Sequence, residues 1–353
     1  MVDYQYINVF AKSMKLKLLS LNLILLFASC SNCRMDVKEI PLTFETLRVD
    51  SLLIGKSYGM LLKGSDLLIA DNKADSLFHW VDLDNLTSKE VGQIGQGPKE
   101  YLSFGNFYST DWRCGFYDSR LRCSSVIEFS RQNVILRKEV SYSSLDYRNY
   151  RVAPTAFNTY IGIGPYKRGL FSIVDSVGTL IKVVGEQPYR NETERKIPEL
   201  ARAMAYQGYI VTSPAGDRLV HAIYTSPMIY FYKVSPTDVT LVNSVIESYP
   251  EYRPELGDNS YASAMNRKNI LGYMALAVTD KYVYALFLGQ STEEAGLSAF
   301  CGSVIRVYDW EGVLQKVYTS NTDMTTFCVS PDDRTIYAVG LVEDYELLKA
   351  ELE

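Results

Sequence analysis

The sequence is poor in the residues on which many enzymes and metal sites depend. Only two histidines, His79 and His221, occur among 353 residues, and the six cysteines are spread along the chain. This leaves little material for a His-rich metal centre, so we expect neither a bound metal nor a cofactor. The 36 Lys and Arg residues form no basic stripe and the net charge is −5, which argues against a nucleic-acid partner.

Long apolar runs and long helical periods are also absent. From Pro41 onward the chain consists of short alternating, β-branched and aromatic runs separated by Gly, Pro, Asn, Asp and Ser, which is the signature of strands. Residues 197–207 are the one segment that favours a short helix. The aromatic surplus of 27 Tyr, 14 Phe and 3 Trp suits half-buried strands.

The N-terminal segment predicts export. Residues 15–30 read KLKLLSLNLILLFASC, with a basic start, an apolar stretch too short to span a bilayer, and small residues before Cys30. We therefore predict a signal peptide over residues 1–29, with Met14 as an alternative start, and a tether over residues 30–40.

The residues directly before Cys30 resemble a lipobox. Ala28 and Ser29 precede the cysteine, and Phe27 stands where Leu is commoner. The resemblance implies cleavage before Cys30 and a membrane anchor of two or more acyl chains on that residue. The alternative is an unmodified cysteine that follows the signal.

The body of the chain repeats one pattern of strand, polar turn and strand. Counting these repeats gives six units, near residues 51–98, 99–145, 150–188, 200–250, 265–320 and 322–353. Regular units of four short strands predict an all-β fold, a six-bladed β-propeller over residues 41–353. The last unit ends after three strands, and we expect residues 41–50 to supply the fourth and close the ring. The alternative is a pair of β-sandwiches joined near residues 186–200.

The lipobox, the six units and the segment GQGPKEY (95–101) together resemble the TolB-like six-bladed propeller lipoproteins of Gram-negative bacteria. GQGPKEY is the most specific piece, because such proteins often carry Gly-x-Gly-Pro-x-Glu-aromatic between their first blades. Lys99 stands where Gly or Asn is often seen. The resemblance implies a propeller at the cell envelope, lipid-anchored to the outer membrane and either periplasmic or surface-exposed, but it implies no catalytic residues.

Candidate ligand-binding residues are expected to share one rim of the propeller. They are Asp71, Gly95, Gly97, Lys99, Glu100, Tyr101 and Asp118. Loops between blades open on the same face as loops between second and third strands, which brings these residues together. A structural role is the favoured explanation for the loop and for each aspartate, because glycine suits a tight loop and aspartate caps a turn, and a ligand contact is the alternative. A phosphate-binding loop is excluded, since Pro98 follows the last glycine and strands flank the segment.

Cys114 and Cys123 form the candidate disulfide. They are symmetrical about residues 118 and 119, so a two-residue turn would place them opposite each other in a hairpin, where the thiols could bridge in an oxidising compartment. Cys301 and Cys328, in neighbouring units, are the second candidate pair.

The remaining residues of interest have ordinary structural explanations. Trp80, Trp112 and Trp310 supply either sugar-stacking platforms or packing within the sheets. His79 and His221 fall inside predicted strands, and neither is part of a pattern typical of a catalytic triad.

These observations favour a binding or interaction scaffold at the cell envelope, without an identifiable catalytic site. Its partner would be a glycan, a peptide or an envelope protein, with the membrane bound through the lipid. One alternative is an extracytoplasmic hydrolase or lyase that acts on a polymer through residues around the channel. Another is a structural component of an envelope complex.

Overall fold

The computed structural model describes residues 37–71, 75–130, 133–256 and 261–353, so the predicted signal peptide and Cys30 lie outside it. The described chain is built mainly of antiparallel strands, as predicted. No helix within these ranges combines the length and the apolar character needed to cross a bilayer.

The chain begins with two short strands, β1 (Lys38–Leu42) and β2 (Glu45–Thr46). Four separate four-stranded sheets follow, in each of which every strand pairs with the next along the chain. Blade 1 contains β3 (Ser57–Lys63), β4 (Asp66–Asp71), β5 (Ser76–Asp82) and β6 (Thr87–Gln93). Blade 2 contains β7 (Asn106–Ser109), β8 (Cys114–Asp118), β9 (Cys123–Ser130) and β10 (Asn133–Ser141). Blade 3 contains β11 (Arg151–Pro154), β12 (Thr159–Ile163), β13 (Phe171–Asp175) and β14 (Leu180–Val184). Blade 4 contains β15 (Gly208–Thr212), β16 (Arg218–Ile223), β17 (Met228–Val234) and β18 (Val239–Ile246).

Blades 5 and 6 form one eight-stranded sheet because they share a strand. Besides β1 and β2, this sheet contains β21 (Tyr273–Val278), β22 (Tyr282–Phe287), β23 (Gly302–Asp309), β24 (Leu314–Val329), β25 (Thr335–Leu341) and β26 (Tyr345–Glu351). The first part of the 16-residue strand β24 pairs with β23, and its last part pairs with β25. The same strand is therefore the outer strand of blade 5 and the inner strand of blade 6.

The inner strands form a closed ring. In order, β3, β7, β11, β15, β21 and β24 each contact the next, and β24 contacts β3. Six blades thus surround a central channel, and the alternative of two separate sandwiches is wrong.

The N-terminal strands close the ring, as predicted. In β2, Glu45 lies opposite Lys349 and Thr46 opposite Leu348 of β26, so β2 is the missing outer strand of blade 6. Strand β1 pairs with β24, and its Ile40 and Leu42 are each only 4% exposed in the core of blades 5 and 6. Both ends of the described propeller are therefore fixed in one sheet.

Aromatic side chains pack between neighbouring blades. Phe78 of blade 1 meets Phe116 of blade 2 edge to face, with ring centroids 4.9 Å apart. Phe171 of blade 3 and Tyr232 of blade 4 are 5.2 Å apart in the same geometry. Such aromatic pairs stabilise the fold by more than the burial of their surface area alone would. Packing between blades therefore explains the aromatic surplus of the sequence.

The segments inserted between strands all lie on one face, which we call the insertion face. They are α1 (Glu192–Arg195), α2 (Glu199–Ala205), the hairpin of β19 (Tyr252–Leu256) and β20 (Tyr261–Met265), α3 (Thr292–Ala295) and a 3₁₀ helix (Gly296–Phe300). They occupy connections between blades or between second and third strands, which open on the same side. Helix α2 falls within the predicted helical segment 197–207, and it packs against β19 and β20. The loops of the other face, here called the plain face, are short.

The predicted disulfide between Cys114 and Cys123 is wrong. Asp118 lies opposite Cys123 and Gly115 opposite Val126, so the hairpin loop has four residues, 119–122, instead of two. Cys114 consequently lies at the far end of the strand pair from Cys123, and both are free thiols. The second candidate pair, Cys301 and Cys328, is also unbonded.

Candidate ligand sites at the two ends of the channel

The wide end of the channel opens on the plain face. It is a cavity of about 240 Å³ between the ends of the inner strands. Apolar side chains form its wall: Met60, Leu62, Phe107, Val211, Leu276 and Val329. Polar side chains stand at its mouth: Lys63, Ser109, Asp111 and Asp280. An apolar wall with a few polar groups is typical of small-ligand sites.

Two exposed aromatic side chains lie on plain-face loops of blades 2 and 3. Trp112, which follows the cavity residue Asp111, is 50% exposed, and Phe157 is 39% exposed. The indole packs against Gly216, whose φ is +68°, and a Cβ there would approach Trp112 Cη2 to 2.6 Å. The N–H of Ala156, next to Phe157, donates to Gly216 O at 2.9 Å. Loops of blades 2, 3 and 4 thus meet around Gly216 and present both rings to solvent.

The other two tryptophans are core residues. Trp80 and Trp310 are almost fully buried. Their indole N–H groups donate to Asp66 Oδ1 at 2.7 Å and to Thr279 O at 3.1 Å. Trp112 is therefore the one tryptophan of the three that could still stack on a sugar.

Asp118 fastens two loops of the insertion face. Its carboxylate is fully buried and accepts hydrogen bonds from Leu102 N (2.7 Å), Ser103 N (3.2 Å) and Ser103 Oγ (2.7 Å). It also accepts from Arg120 N and Leu121 N, each at 2.9 Å. The structure therefore brings Asp118 next to the segment that follows GQGPKEY, as expected, but the buried carboxylate is not available to a ligand on the rim.

Asp71 has the equivalent place in blade 1. It is buried at the end of β4, where it accepts a hydrogen bond from Gly55 N, in the chain that leads into the inner strand β3. Its Oδ2 also lies 3.2 Å from His79 Nε2. The expectation of a ligand contact is wrong here too, because the side chain faces the protein interior.

The GQGPKEY loop is held by its own glutamate. Glu100 Oε2 accepts a hydrogen bond from Gly97 N at 2.7 Å, and a Cβ on Gly95 would overlap this carboxylate. Lys138 of blade 2 donates to Gly97 O at 3.0 Å. The Glu100 carboxylate folds back against Gly95 and Gly97, where a larger side chain would occupy its space. This explains why glycines stand five and three residues before the glutamate.

The last two rim candidates differ in exposure. Tyr101 is buried and packs edge to face on Phe116 at 5.1 Å, and burial raises the pKa of its hydroxyl. Lys99 is exposed at the tip of the loop. Of the seven residues predicted to form a ligand rim, only Lys99 projects fully into solvent.

The histidines do not form a catalytic site. His221 in β16 is fully buried beside Phe171 and Tyr230, and burial lowers its pKa to about 3, so the ring is neutral near pH 7. His79 is buried in β5 against Asp71. Within the part of the chain that the structure describes, no group of His, Cys, Asp and Glu is arranged to hold a metal ion.

The narrow end of the channel contains a residue that sequence analysis missed. Arg151, the first residue of β11, borders a cavity of about 70 Å³ on the insertion face. Five residues line both cavities and form the waist between them: Met60, Phe107, Val211, Leu276 and Phe327. In the sequence RNYRVAP nothing distinguishes Arg151 from an exposed arginine, because its role depends on the ring of blades.

Comparison with solved structures finds matches at low sequence identity. A Bacteroides fragilis protein described as exported has a TM-score of 0.53 and 13% identity, covering 92% of this chain and 97% of that one. Hydrazine synthase from Kuenenia stuttgartiensis has a TM-score of 0.46 and 13% identity, covering 84% of each chain. The β-propeller domain of Cps50 (Swd1) from Myceliophteria thermophila has a TM-score of 0.46 and 11% identity, covering 89% and 100%.

No curated protein matches the sequence. The family described as TolB-like 6-blade propeller-like matches residues 36–332, which is most of the chain. Together with the closed ring of six inner strands, this match shows that the chain belongs to the TolB-like six-bladed propeller family.

Proposed function

We propose that the protein is an exported, lipid-anchored binding protein of the cell envelope, and that it holds a glycan at the wide end of its channel. The observation that carries the ligand class is the half-exposed indole of Trp112 beside a cavity with a polar mouth. Export and anchoring are inferred from residues 15–30, and the exported Bacteroides fragilis protein of the same fold supports that location.

The chemistry of the wide end suits a sugar. One face of a pyranose ring carries only C–H groups and packs well on an indole, while its hydroxyls need hydrogen-bond partners. Lys63, Asp111 and Asp280 are exposed at the mouth and supply both donors and acceptors. The apolar wall excludes water from the part of the ligand that enters.

Catalysis is less well supported than binding at this end. The hydrolase alternative would depend on Asp111 and Asp280, the two carboxylates at the mouth. Both are exposed, whereas a catalytic general acid is usually kept in an apolar environment. No histidine borders the cavity.

Trp112→Ala will reduce glycan binding without unfolding the protein. Loss of a stacked aromatic should weaken affinity by about tenfold or more, while a half-exposed ring contributes only about 1 kcal/mol to folding. A glycan array with the soluble chain that begins after Cys33 identifies the ligand, and titration calorimetry then compares the variants. Trp112→Phe should retain part of the affinity.

Leu241→Ala, at an exposed position on the outer strand of blade 4, is the matched control and should leave binding unchanged. Equal affinity of Trp112→Ala and the parent chain would contradict the proposed site. Capture of a peptide or protein in place of any glycan would contradict the ligand class, and release of new reducing ends would indicate the hydrolase.

The membrane anchor makes a separate prediction. Mass spectrometry of the mature protein should show an N-terminal Cys30 that carries a diacylglycerol and an amide-linked acyl chain. Cys30→Ser should prevent lipid attachment and leave the protein unlipidated. An uncleaved chain, or a free Cys30 thiol in the mature protein, would overturn the proposal of an anchor.

A further inference from the structure

Arg151 connects three blades at the narrow end of the channel. Its side chain extends from the inner strand of blade 3 and donates to Gly208 O of blade 4 at 3.1 Å and to Gly105 O of blade 2. The guanidinium also stacks on Tyr209, with its central carbon 3.8 Å from the ring centroid. These contacts fix the position of the cation but do not neutralise it.

The positive charge of Arg151 has no carboxylate partner within the described ranges. Three other arginines of the interior do: Arg113 lies 2.8 Å from Glu139, Arg202 lies 3.7 Å from Glu199, and Arg306 pairs with Glu247. Burial lowers the pKa of the Arg151 guanidinium, although the residue is only half-buried. A desolvated and unpaired cation is costly, and folded proteins usually offset that cost with an anion.

The free donors of Arg151 border the narrow cavity. A guanidinium has five N–H groups, and two of them reach the carbonyls of Gly105 and Gly208. The Tyr209 side chain also hydrogen-bonds the guanidinium, so at most two N–H groups are left for a ligand. The cavity of about 70 Å³ next to them is large enough for a small organic anion.

The lining of this cavity narrows the class of ligand. Arg151 is its one charged residue within the described ranges, and its neighbours are mainly aromatic and aliphatic. They include Tyr58, Phe104, Tyr209, Met274 and Leu276. One guanidinium matches the geometry and charge of one carboxylate, while a doubly charged phosphate would favour a second cation. The apolar neighbours suit a short hydrocarbon tail.

We propose that the narrow end of the channel is a binding site for a small monocarboxylate, whose carboxylate is held by Arg151 and whose apolar tail lies against Phe104 and Met274. The ligand enters from the insertion face. This site lies on the other side of the waist from the proposed glycan site, so either proposal can fail without the other.

Titration calorimetry of the soluble chain with sodium butyrate, at constant ionic strength, tests this site. Butyramide has nearly the same shape without the charge and serves as the ligand control. We expect butyrate to bind at least tenfold more tightly than butyramide, and Arg151→Lys to weaken butyrate binding by about tenfold, because a lysine loses the planar fork. Arg306→Lys, in which the partner Glu247 is retained, should leave butyrate binding unchanged.

A second variant tests the site with Arg151 in place, so that the test does not depend on the folding of Arg151→Lys. Met274→Trp should fill the cavity and abolish butyrate binding while Arg151 stays in place, and a thermal melt of each variant shows that it is folded. Equal binding of butyrate and butyramide, or full affinity in Arg151→Lys or in Met274→Trp, would overturn the proposal. Tighter binding of inorganic phosphate than of butyrate would overturn the carboxylate assignment.

Discussion

A chain that begins at Ser51 will be less stable than one that begins at Arg34 by about 3–6 kcal/mol. The shorter chain lacks β1 and β2, and with them the buried side chains of Ile40 and Leu42, each worth about 1.5–3 kcal/mol. It also exposes the edge of β26, which β2 covers, and an uncovered edge promotes association between chains. Urea unfolding and light scattering measure the two effects.

Substitutions within the same strands distinguish the effect of losing the buried side chains from the effect of exposing the edge of β26. The double variant Ile40→Ala and Leu42→Ala should lose much of the stability and remain monomeric, since β2 still covers β26. Glu45→Ala, at an exposed position in β2, should change the unfolding midpoint little. An unchanged midpoint for the chain that begins at Ser51 would show that the N-terminal strands do not contribute to closure.

Asp118→Ala will destabilise the protein by about 3–5 kcal/mol, because the removal of one buried acceptor leaves several donors without a partner. The backbone N–H groups of Leu102, Ser103 and Leu121 lose their acceptor at once, whereas Arg120 N keeps Ser103 Oγ at 3.0 Å and the Ser103 hydroxyl keeps Ser119 Oγ at 3.1 Å. The segment after GQGPKEY should then detach from the loop of β8 and β9. Equilibrium unfolding in urea gives the free energy, and hydrogen exchange at Leu102 and Ser103 reports the local opening.

Asp309→Ala is the matched control for this prediction. Asp309, the last residue of β23, likewise caps a turn and accepts from Glu311 N at 3.0 Å and Val313 N at 2.9 Å, but it is partly exposed, so water can replace the lost acceptor. We expect a loss of about 1 kcal/mol. A similar small loss in Asp118→Ala would show that the buried carboxylate does not hold the two loops together.

The architecture could be predicted from the sequence because it depends on local pattern. Alternating apolar residues and turn residues specify each strand, and the count of repeats specifies six blades. The missing fourth strand of the last unit pointed directly to residues 41–50, of which Glu45 and Thr46 pair with β26. The hairpin β19 and β20 was not anticipated, since two five-residue strands between blades carry no repeat signal.

The candidate sites were harder to predict because they depend on distances between blades. Asp71, Asp118 and Glu100 were recognised as residues of interest, but sequence could not show that their carboxylates face inward and bind backbone N–H groups. The error at Cys114 and Cys123 arose from a loop two residues longer than assumed, which moves one thiol away from the other. Trp112 follows an aspartate, as Trp310 does, and differs from it in what the neighbouring loops leave uncovered.

The strand shared by blades 5 and 6 has a consequence for how the ring opens. All other neighbouring blades are joined by loops. Such a loop can be cut, or one blade can unfold up to it, while the blade on the other side of the loop stays folded. Strand β24 has no such break, and β1 pairs with it, so local unfolding cannot release blade 6 without disturbing blade 5. New chain ends introduced within β24 should therefore abolish folding, whereas new ends in the loop between blades 2 and 3 should be tolerated.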